Sequence, residues 1–255
     1  MNFALDEFFD PIQQTKYIGS ENYRKIKYYL KTLQALSKVC NLSFYIVDYY
    51  KRSFQYVSPN PLFLNGYSQK EVMSLGFDFY PLCVPEDDLK LLLLLNEVGF
   101  DFFYQLSEDR RDKATISYDF RLKHRNNNSH ILINHKLSPL LLTDEGNIWM
   151  SICLVTLSVM KKPGDVHIIM QDDSSRYDLN IRKRIFEKVA KQKLSPKEIE
   201  ILKLLSLGYR LNDVANKLGI SSSTVKNHKT RIFKKLNVKT TAEAVFLFAN
   251  SQGIL

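Results

Sequence analysis

Between residues 223 and 236 the chain reads Ser-Thr-Val-Lys-Asn-His-Lys-Thr-Arg-Ile-Phe-Lys-Lys-Leu, a run whose side chains could read a polyanion. At 100° per residue, Val225, Ile232 and Leu236 fall within about 20° of one line and face a core. The opposite side holds Ser223, Asn227, Thr230 and Lys234, flanked by Lys226 and Arg231, and carries no acid. Such a face suits the major groove of DNA: Asn pairs bidentately with adenine, Lys reaches guanine O6 and N7, and Thr meets a thymine methyl or a base-edge acceptor. Lys226, Asn227 and Thr230 are the candidate base readers. Thr224, Arg231 and Lys234 are the candidate phosphate contacts, the majority role in protein–DNA interfaces. An ordinary solvated amphipathic helix is the plainer alternative. His228 lies in the same run but has no Cys, His or carboxylate at ligand spacing, so packing or a phosphate contact is expected of it rather than metal binding or catalysis.

The elements that must hold this face are marked by local signals. Ser195 is a helix N-cap, Pro196 suits the first helical position and Glu198 completes a Ser-x-x-Glu capping box. Ile199, Ile201, Leu202, Leu204 and Leu205 follow at helical spacing until Gly208 stops the helix. A second short helix is expected over 212–218, from an Asn212 cap to Gly219, and a third over 223–236, capped by Ser221 or Ser222. Two short helices about a tight glycine turn make a helix-turn-helix.

The blocks Leu-Ser-Pro-Lys-Glu-Ile-Glu-Ile-Leu-Lys-Leu-Leu, Asp213-Val-Ala-Asn-Lys-Leu-Gly-Ile-Ser, Thr224-Val-Lys-Asn-His and Glu243-Ala-Val resemble the LuxR/FixJ-type DNA-binding domain over residues 194–255. That resemblance implies a bacterial transcription regulator with an all-α four-helix domain. It also implies that the last helix, about 241–251, forms a dimer through Ala244, Val245 and Phe248, whose other role is core packing. One departure is Lys229, where family members often carry Val, and it is expected to snorkel towards phosphate.

Charge divides the chain in the same way. Residues 1–160 hold 17 Lys and Arg against 18 Asp and Glu, whereas 161–255 hold 19 against 9. A basic rear half points to polyanion binding there. The whole composition, 45% hydrophobic and 25% charged, excludes a mainly disordered or collagen-like chain. No apolar run, the five leucines at 91–95 included, approaches the roughly 18 residues a membrane-spanning helix needs, so none is expected. Acids near the start, in Met-Asn-Phe-Ala-Leu-Asp-Glu, argue against a signal peptide and for a cytoplasmic protein. Cys40, Cys83 and Cys153 show neither metal-ligand nor disulfide spacing.

In the front half, 43–57 reads as a β-hairpin, Ser68 and Glu71 make a second capping box, and Pro85-Glu-Asp-Asp opens a helix. Strands are expected over 114–124, 130–139 and 147–158. This order, with Tyr56-Val-Ser-Pro-Asn, Leu64-Asn-Gly-Tyr-Ser-Gln-Lys-Glu and Val84-Pro-Glu-Asp, is similar to a PAS sensor domain over 40–160. The resemblance implies a five-stranded antiparallel sheet cupping a small molecule, or docking a signalling partner on its outer face. For flavin, the photoactive PAS subclass has a cysteine in Asn-Cys-Arg-Phe-Leu-Gln, whereas Cys83 sits in Pro-Leu-Cys-Val-Pro and reads as a buried thiol. Haem needs an axial histidine inside the cup, and His124, His130 and His135 fall in or beside the late strands near a polar hairpin. Glu86, Asp87 and Asp88 are too close in sequence to converge on a metal and read as a dipole-matched helix start. No cofactor is assigned, and a small-molecule ligand stays open.

The expected chain is therefore α+β: a leading helical segment at 1–39, a PAS-like domain at 40–160, a connector at 161–193 and the helix-turn-helix domain at 194–255. The connector offers short strands near 166–170 and 175–179, then a basic helical stretch over 181–191. Its partners are double-stranded DNA, a second copy of itself, and either a small molecule or a signalling protein. No Gly-rich phosphate loop, HExxH, nucleophile elbow or phosphoacceptor arrangement points to an enzyme.

Overall fold

Ser43–Asp48 (β1) is buried at every residue, and its side chains alternate between two cores. Tyr45 and Val47 join one cluster, and Phe44 and Ile46 join another. Only a strand inside a sheet covered on both faces satisfies that pattern. The computed structural model describes residues 18–189, 194–236 and 238–250, and the chain divides into two compact units, Met1–Val189 and Ala190–Leu255.

The first unit is built on one antiparallel sheet. Its strands are β1, Ser53–Val57 (β2), Ala114–Lys123 (β3), His130–Leu142 (β4), Ile148–Leu157 (β5), Gly164–Met170 (β6), Arg176–Asn180 (β7) and Ile185–Val189 (β8), in the order β2-β1-β5-β4-β3-β6-β7-β8. The expected five strands are the first five of an eight-stranded sheet, so that strand count is corrected. Within the segment 161–193, expected as a connector, residues 164–189 supply the other three, and 190–193 lie outside the described residues. Val166, Ile168 and Met170 alternate inward as β6 pairs with the edge of β3. Of the basic stretch at 181–191, expected as helical, residues 181–189 are the turn of the β7–β8 hairpin followed by β8, and 190–191 lie outside the described residues. Ile181, Ile185 and Val189 repeat every four residues and so mimic a helix. The hairpin prevails because Phe186 packs on Phe102 (ring centroids 5.5 Å apart) beside Tyr177.

Ser20–Cys40 (α1) covers one face through Ile26, with Tyr23, Leu30 and Leu33 against Phe44, Ile46 and Trp149. Tyr23 donates to Asp48 (2.8 Å), and its ring meets Trp149 edge-on at 5.2 Å. Asn41 ends α1 in the left-handed region (φ 48°). The other face carries Pro61–Leu64 (α2), Gln69–Leu75 (α3), a 3-10 turn Gly76–Asp78, Phe79–Cys83 (α4), Glu86–Gln105 (α5) and Glu108–Arg111 (α6). Ser68 and Glu71 form the reciprocal capping box of α3. Asp88 does more than match the α5 dipole: buried, it accepts from the Arg121 backbone N–H (2.7 Å) and from two guanidinium nitrogens (2.9 and 2.5 Å), tying α5 to β3.

The second unit comprises Pro196–Ser206 (α7), Leu211–Leu218 (α8), Ser222–Leu236 (α9) and Thr241–Asn250 (α10) among the described residues. Ile201, Leu202, Val214, Ala215, Val225 and Ile232 form its buried core. Glu198 and Ser195 cap α7 reciprocally. Asn212, expected as a cap, lies inside α8, whose N-cap is Arg210; the Arg210 N–H donates to Asp213 (3.3 Å).

Candidate nucleic-acid interface and interior cavity

Contacts at both ends fix the pitch of α9. At its start the Ser221 hydroxyl accepts from the Thr224 N–H (3.1 Å), and Ser222 Oγ donates to Asn212 Oδ1 (2.9 Å), pinning α9 to α8 across the turn. Gly219 makes that turn at φ 63°, where a side chain is strained. At its far end Lys235 Nζ donates to the buried Glu198 carboxylate at 2.7 Å, so the residue that caps α7 also anchors α9. Burial pushes the Glu198 carboxyl up, but the Lys235 ammonium and the Ser195 N–H outweigh it and hold the group below its usual range.

Val225 and Ile232 are fully buried, and Lys226, Asn227, Thr230, Arg231 and Lys234 are exposed. Thr224 is half-buried, its hydroxyl 2.8 Å from Ser221 Oγ. Thr230 donates its hydroxyl to the Lys226 carbonyl (3.1 Å). Lys229 lies over the Phe233 ring, 5.2 Å from its centroid, rather than extending free. His228 is half-buried and its Nδ1 is enclosed without a partner. Ala244 is completely buried in the core, with Val245 and Phe248 half-buried against it. Residues 190–255 contain 12 Lys and Arg against 4 Asp and Glu. The unit thus sets an acid-free helix face on a strongly basic background, the combination that releases counterions from a duplex.

The first unit holds a half-open cavity of about 90 Å³ between the sheet and α5. Its walls are mainly aromatic and aliphatic, among them Tyr45, Tyr80, Phe100, Phe103 and Tyr118. Tyr45 Oη lies 2.5 Å from Tyr80 Oη and 2.6 Å from His135 Nε2, and all three side chains are buried. Burial lowers the His135 imidazole to about 3 and raises all three phenols, Tyr45, Tyr80 and Tyr118, well above their usual range. The cluster is therefore uncharged at neutral pH. Cys153 lines the same space, its thiol pushed up by burial, while Cys83 is buried and Cys40 exposed. His130 is exposed and His124 half-buried beside Gly66.

His135 was not singled out in the sequence as a cavity residue. The signal was its place two residues from Ile133 and two from Leu137, which puts it on the inward face of β4 once the strand's phase is known. Among the described residues no three His, Cys, Asp or Glu side chains converge on a metal position, and no helix is long and apolar enough to cross a membrane.

The second unit is a DNA-binding helix-turn-helix domain of the LuxR type. Residues 192–248 match the family described as bacterial regulatory proteins, luxR family. The oxygen regulatory protein NreC of Staphylococcus epidermidis is 50% identical over 52 residues, covering 20% of this chain and 24% of that protein. The uncharacterized transcriptional regulatory protein YxjL of Bacillus subtilis is 42% identical over 59 residues, covering 23% and 27%. The chain spans about a quarter of the length of these curated relatives. Among solved structures, a phage VqmA–DPO complex has a TM-score of 0.30 at 16% identity, covering 89% of each chain. A light-oxygen-voltage domain studied with a flavin analogue has a TM-score of 0.37 at 19% identity, covering 50% of this chain and 84% of that one.

Proposed function

We propose that this protein is a cytoplasmic transcription regulator, not an enzyme, in which a PAS-like first unit senses a small molecule or partner and controls a dimer of LuxR-type DNA-reading units. The observation that carries the reading is the acid-free exposed face of α9, set on a luxR-family domain whose buried ion pair and capped turn hold that helix in one pitch. Lys226, Asn227 and Thr230 read bases, and Thr224, Arg231 and Lys234 set register on phosphates. Ala244 holds α10 to the core, and Val245 and Phe248, half-buried against that core, keep part of their surface for a second copy. A signal changes promoter occupancy only through its differential affinity for the competent and incompetent arrangements.

The PAS-like reading of the first unit rests on the order of its elements, two strands, short helices and three antiparallel strands, together with the motifs at Tyr56, Leu64 and Val84. A protein-docking role for that unit is favoured by one feature, the exposed Tyr28, Tyr29, Leu36 and Val39 on α1.

Selection from random duplexes followed by footprinting tests the reading. A pseudo-palindromic site with half-sites about one helical turn apart is expected. Lys226→Ala or Asn227→Ala relaxes preference at one position, and Lys234→Ala weakens every sequence and flattens the salt slope by about one. A single asymmetric footprint would refute the dimer, and equal losses on all DNAs for all three variants would refute the division of roles.

A further inference from the structure

The β7–β8 hairpin concentrates a charge that the rest of the first unit lacks. Residues 1–180 hold 20 Lys and Arg against 22 Asp and Glu, whereas 181–193 hold 6 against 1. Four of those six are on described residues: Arg182, Lys183 and Arg184 lie in the turn and Lys188 on β8, all of them exposed. Cations of one sign gathered on one exposed turn are an electrostatic footprint for a polyanion.

The turn is held in place by its own contacts. Asn180 Oδ1 accepts from the Lys183 N–H (3.2 Å), and Asn180 Nδ2 donates to the Glu187 carboxylate (3.1 Å). Arg184 pairs with Glu97 of α5, and one residue further on Ile185 begins β8. Arg184 also sits at φ 54°, in the left-handed region where glycine or asparagine is the ordinary choice, so the chain keeps a cation where the backbone alone selects against one. Lys183 meets Glu187 at 2.7 Å, but its side chain is 64% exposed, and a pair so solvated yields readily to a phosphate. Among the described residues Arg182 has no acid within ion-pair reach. The turn thus presents Arg182 and Lys183 outward on a frame fixed by Arg184 and Asn180.

We propose that this turn grips the phosphate backbone of the duplex that the second unit reads, beside the half-site, with Arg182 and Lys183 as the contacts. The inference rests on the DNA-reading role given above to the second unit and adds a second point of attachment to the same duplex. Connectivity decides the partner. From Val189 to Ser195, the N-cap of α7, the chain runs six residues, at most about 21 Å. The five residues of β8 add about 17 Å back to the turn. At 3.4 Å per base pair the turn is therefore never farther from α7 than about 11 base pairs of duplex. Whenever the second unit is on DNA, a dense row of phosphates lies within reach of these cations. Phosphates carry no sequence, so the contact adds affinity and salt dependence without base preference.

The test is fluorescence anisotropy of the full chain on two labelled duplexes bearing the site selected as above, one ending at the outer edges of the half-sites and one longer by about 12 base pairs on each side. The longer duplex should bind at least tenfold tighter. Its plot of log K against log salt should be steeper by about 1.8 per bound chain, two phosphates at about 0.9 each. Arg182→Ala with Lys183→Ala should erase that advantage and leave the short duplex within about threefold of the natural value. Lys161→Ala with Lys162→Ala removes the same charge from other exposed positions of the first unit and should keep the advantage intact. Melting curves report folding, and Arg182→Gln alone, expected to remove about half of the slope difference, decides the matter if the double variant melts lower. Equal affinity for the two duplexes, an advantage that survives the Arg182/Lys183 change, or an equal loss in the Lys161/Lys162 variant overturns the proposal. Binding of the short duplex in those cases leaves the DNA-reading role standing, whereas no binding to either duplex overturns both. Capture by phosphatidylserine vesicles that depends on Arg182 and Lys183, with the two duplexes bound equally, assigns the turn to a membrane surface and likewise overturns the proposal.

Discussion

Replacing Lys235 by Met should loosen the DNA-reading helix and do so in a pH-dependent way. In the natural chain the Glu198 carboxylate, 2% exposed, accepts from Lys235 Nζ and from the Ser195 N–H, each at 2.7 Å. Removing one partner of a fully buried pair costs roughly 3–5 kcal/mol. The Lys235 side chain is 28% exposed, so water can partly replace it and the lower end applies, about 2–3 kcal/mol. A ceiling exists as well: taking up a proton at pH 7 costs about 1.4 kcal/mol per unit above an ordinary glutamate near 4.3, close to 4 kcal/mol in all. Because the folded carboxyl is held below its unfolded range, the pair's contribution is present above about pH 4.5 and lost as pH falls through the folded value. The Met variant should therefore be destabilised at pH 7, with its deficit shrinking as pH falls below about 4.5. Hydrogen exchange of α9 amides in the full chain reads this locally, with β4 amides as the internal standard. Adding Glu198→Gln to Lys235→Met should recover part of the loss. A change in α9 protection under about 0.5 kcal/mol at pH 7, or strict additivity of the two substitutions, would refute the assignment of the pair as the anchor of α9.

Further outcomes follow from other buried groups. Asp119 is buried, with Oδ1 accepting from Asn134 (3.1 Å), Oδ2 unpartnered, and burial raising its carboxyl to about 6. The raised value means stability is full near pH 4 and falls as pH rises through 6. Asp119→Asn should stabilise the first unit by about 1–3 kcal/mol above pH 6.5 and by little below pH 4, measured by urea unfolding. Phe186→Ala should raise exchange of β8 amides by about tenfold or more and leave β1 unchanged, since it removes the ring seated on Phe102. Tyr23→Phe deletes the hydroxyl between Asp48 and Trp149 and should shift the fluorescence of this single tryptophan while costing about 1–2 kcal/mol.

What could be read in the sequence was local chemistry. The first two helices of the second unit announce themselves through Ser195-Pro196, Glu198, Gly208 and Gly219, signals acting within one turn of the residues they affect. The polar face of α9 needs only the helical period. The cavity needs contacts that sequence spacing does not encode: Tyr45 meets Tyr80 across 35 positions and His135 across 90. The last strand was hidden differently, because the fourfold repeat of Ile181, Ile185 and Val189 fits a helix until Phe102 and Tyr177 are there to receive Phe186. Asn212 has the side chain of a cap, yet its use is decided by Ser222, ten residues on.

The β8 strand is the last described element before the second unit begins. It ends at Val189, where the first unit ends, and it has one ladder neighbour, β7, with an ion pair from Arg184 to Glu97 of α5 guarding its start. Stripped from β7, its five residues would add up to about 17 Å of reach. For two DNA-reading units tethered to one dimer, leash length sets the concentration each experiences at the second half-site once the first is bound. In the proposed dimer, a handful of hydrogen bonds at the rim of a sheet would act on avidity without touching a base or a phosphate.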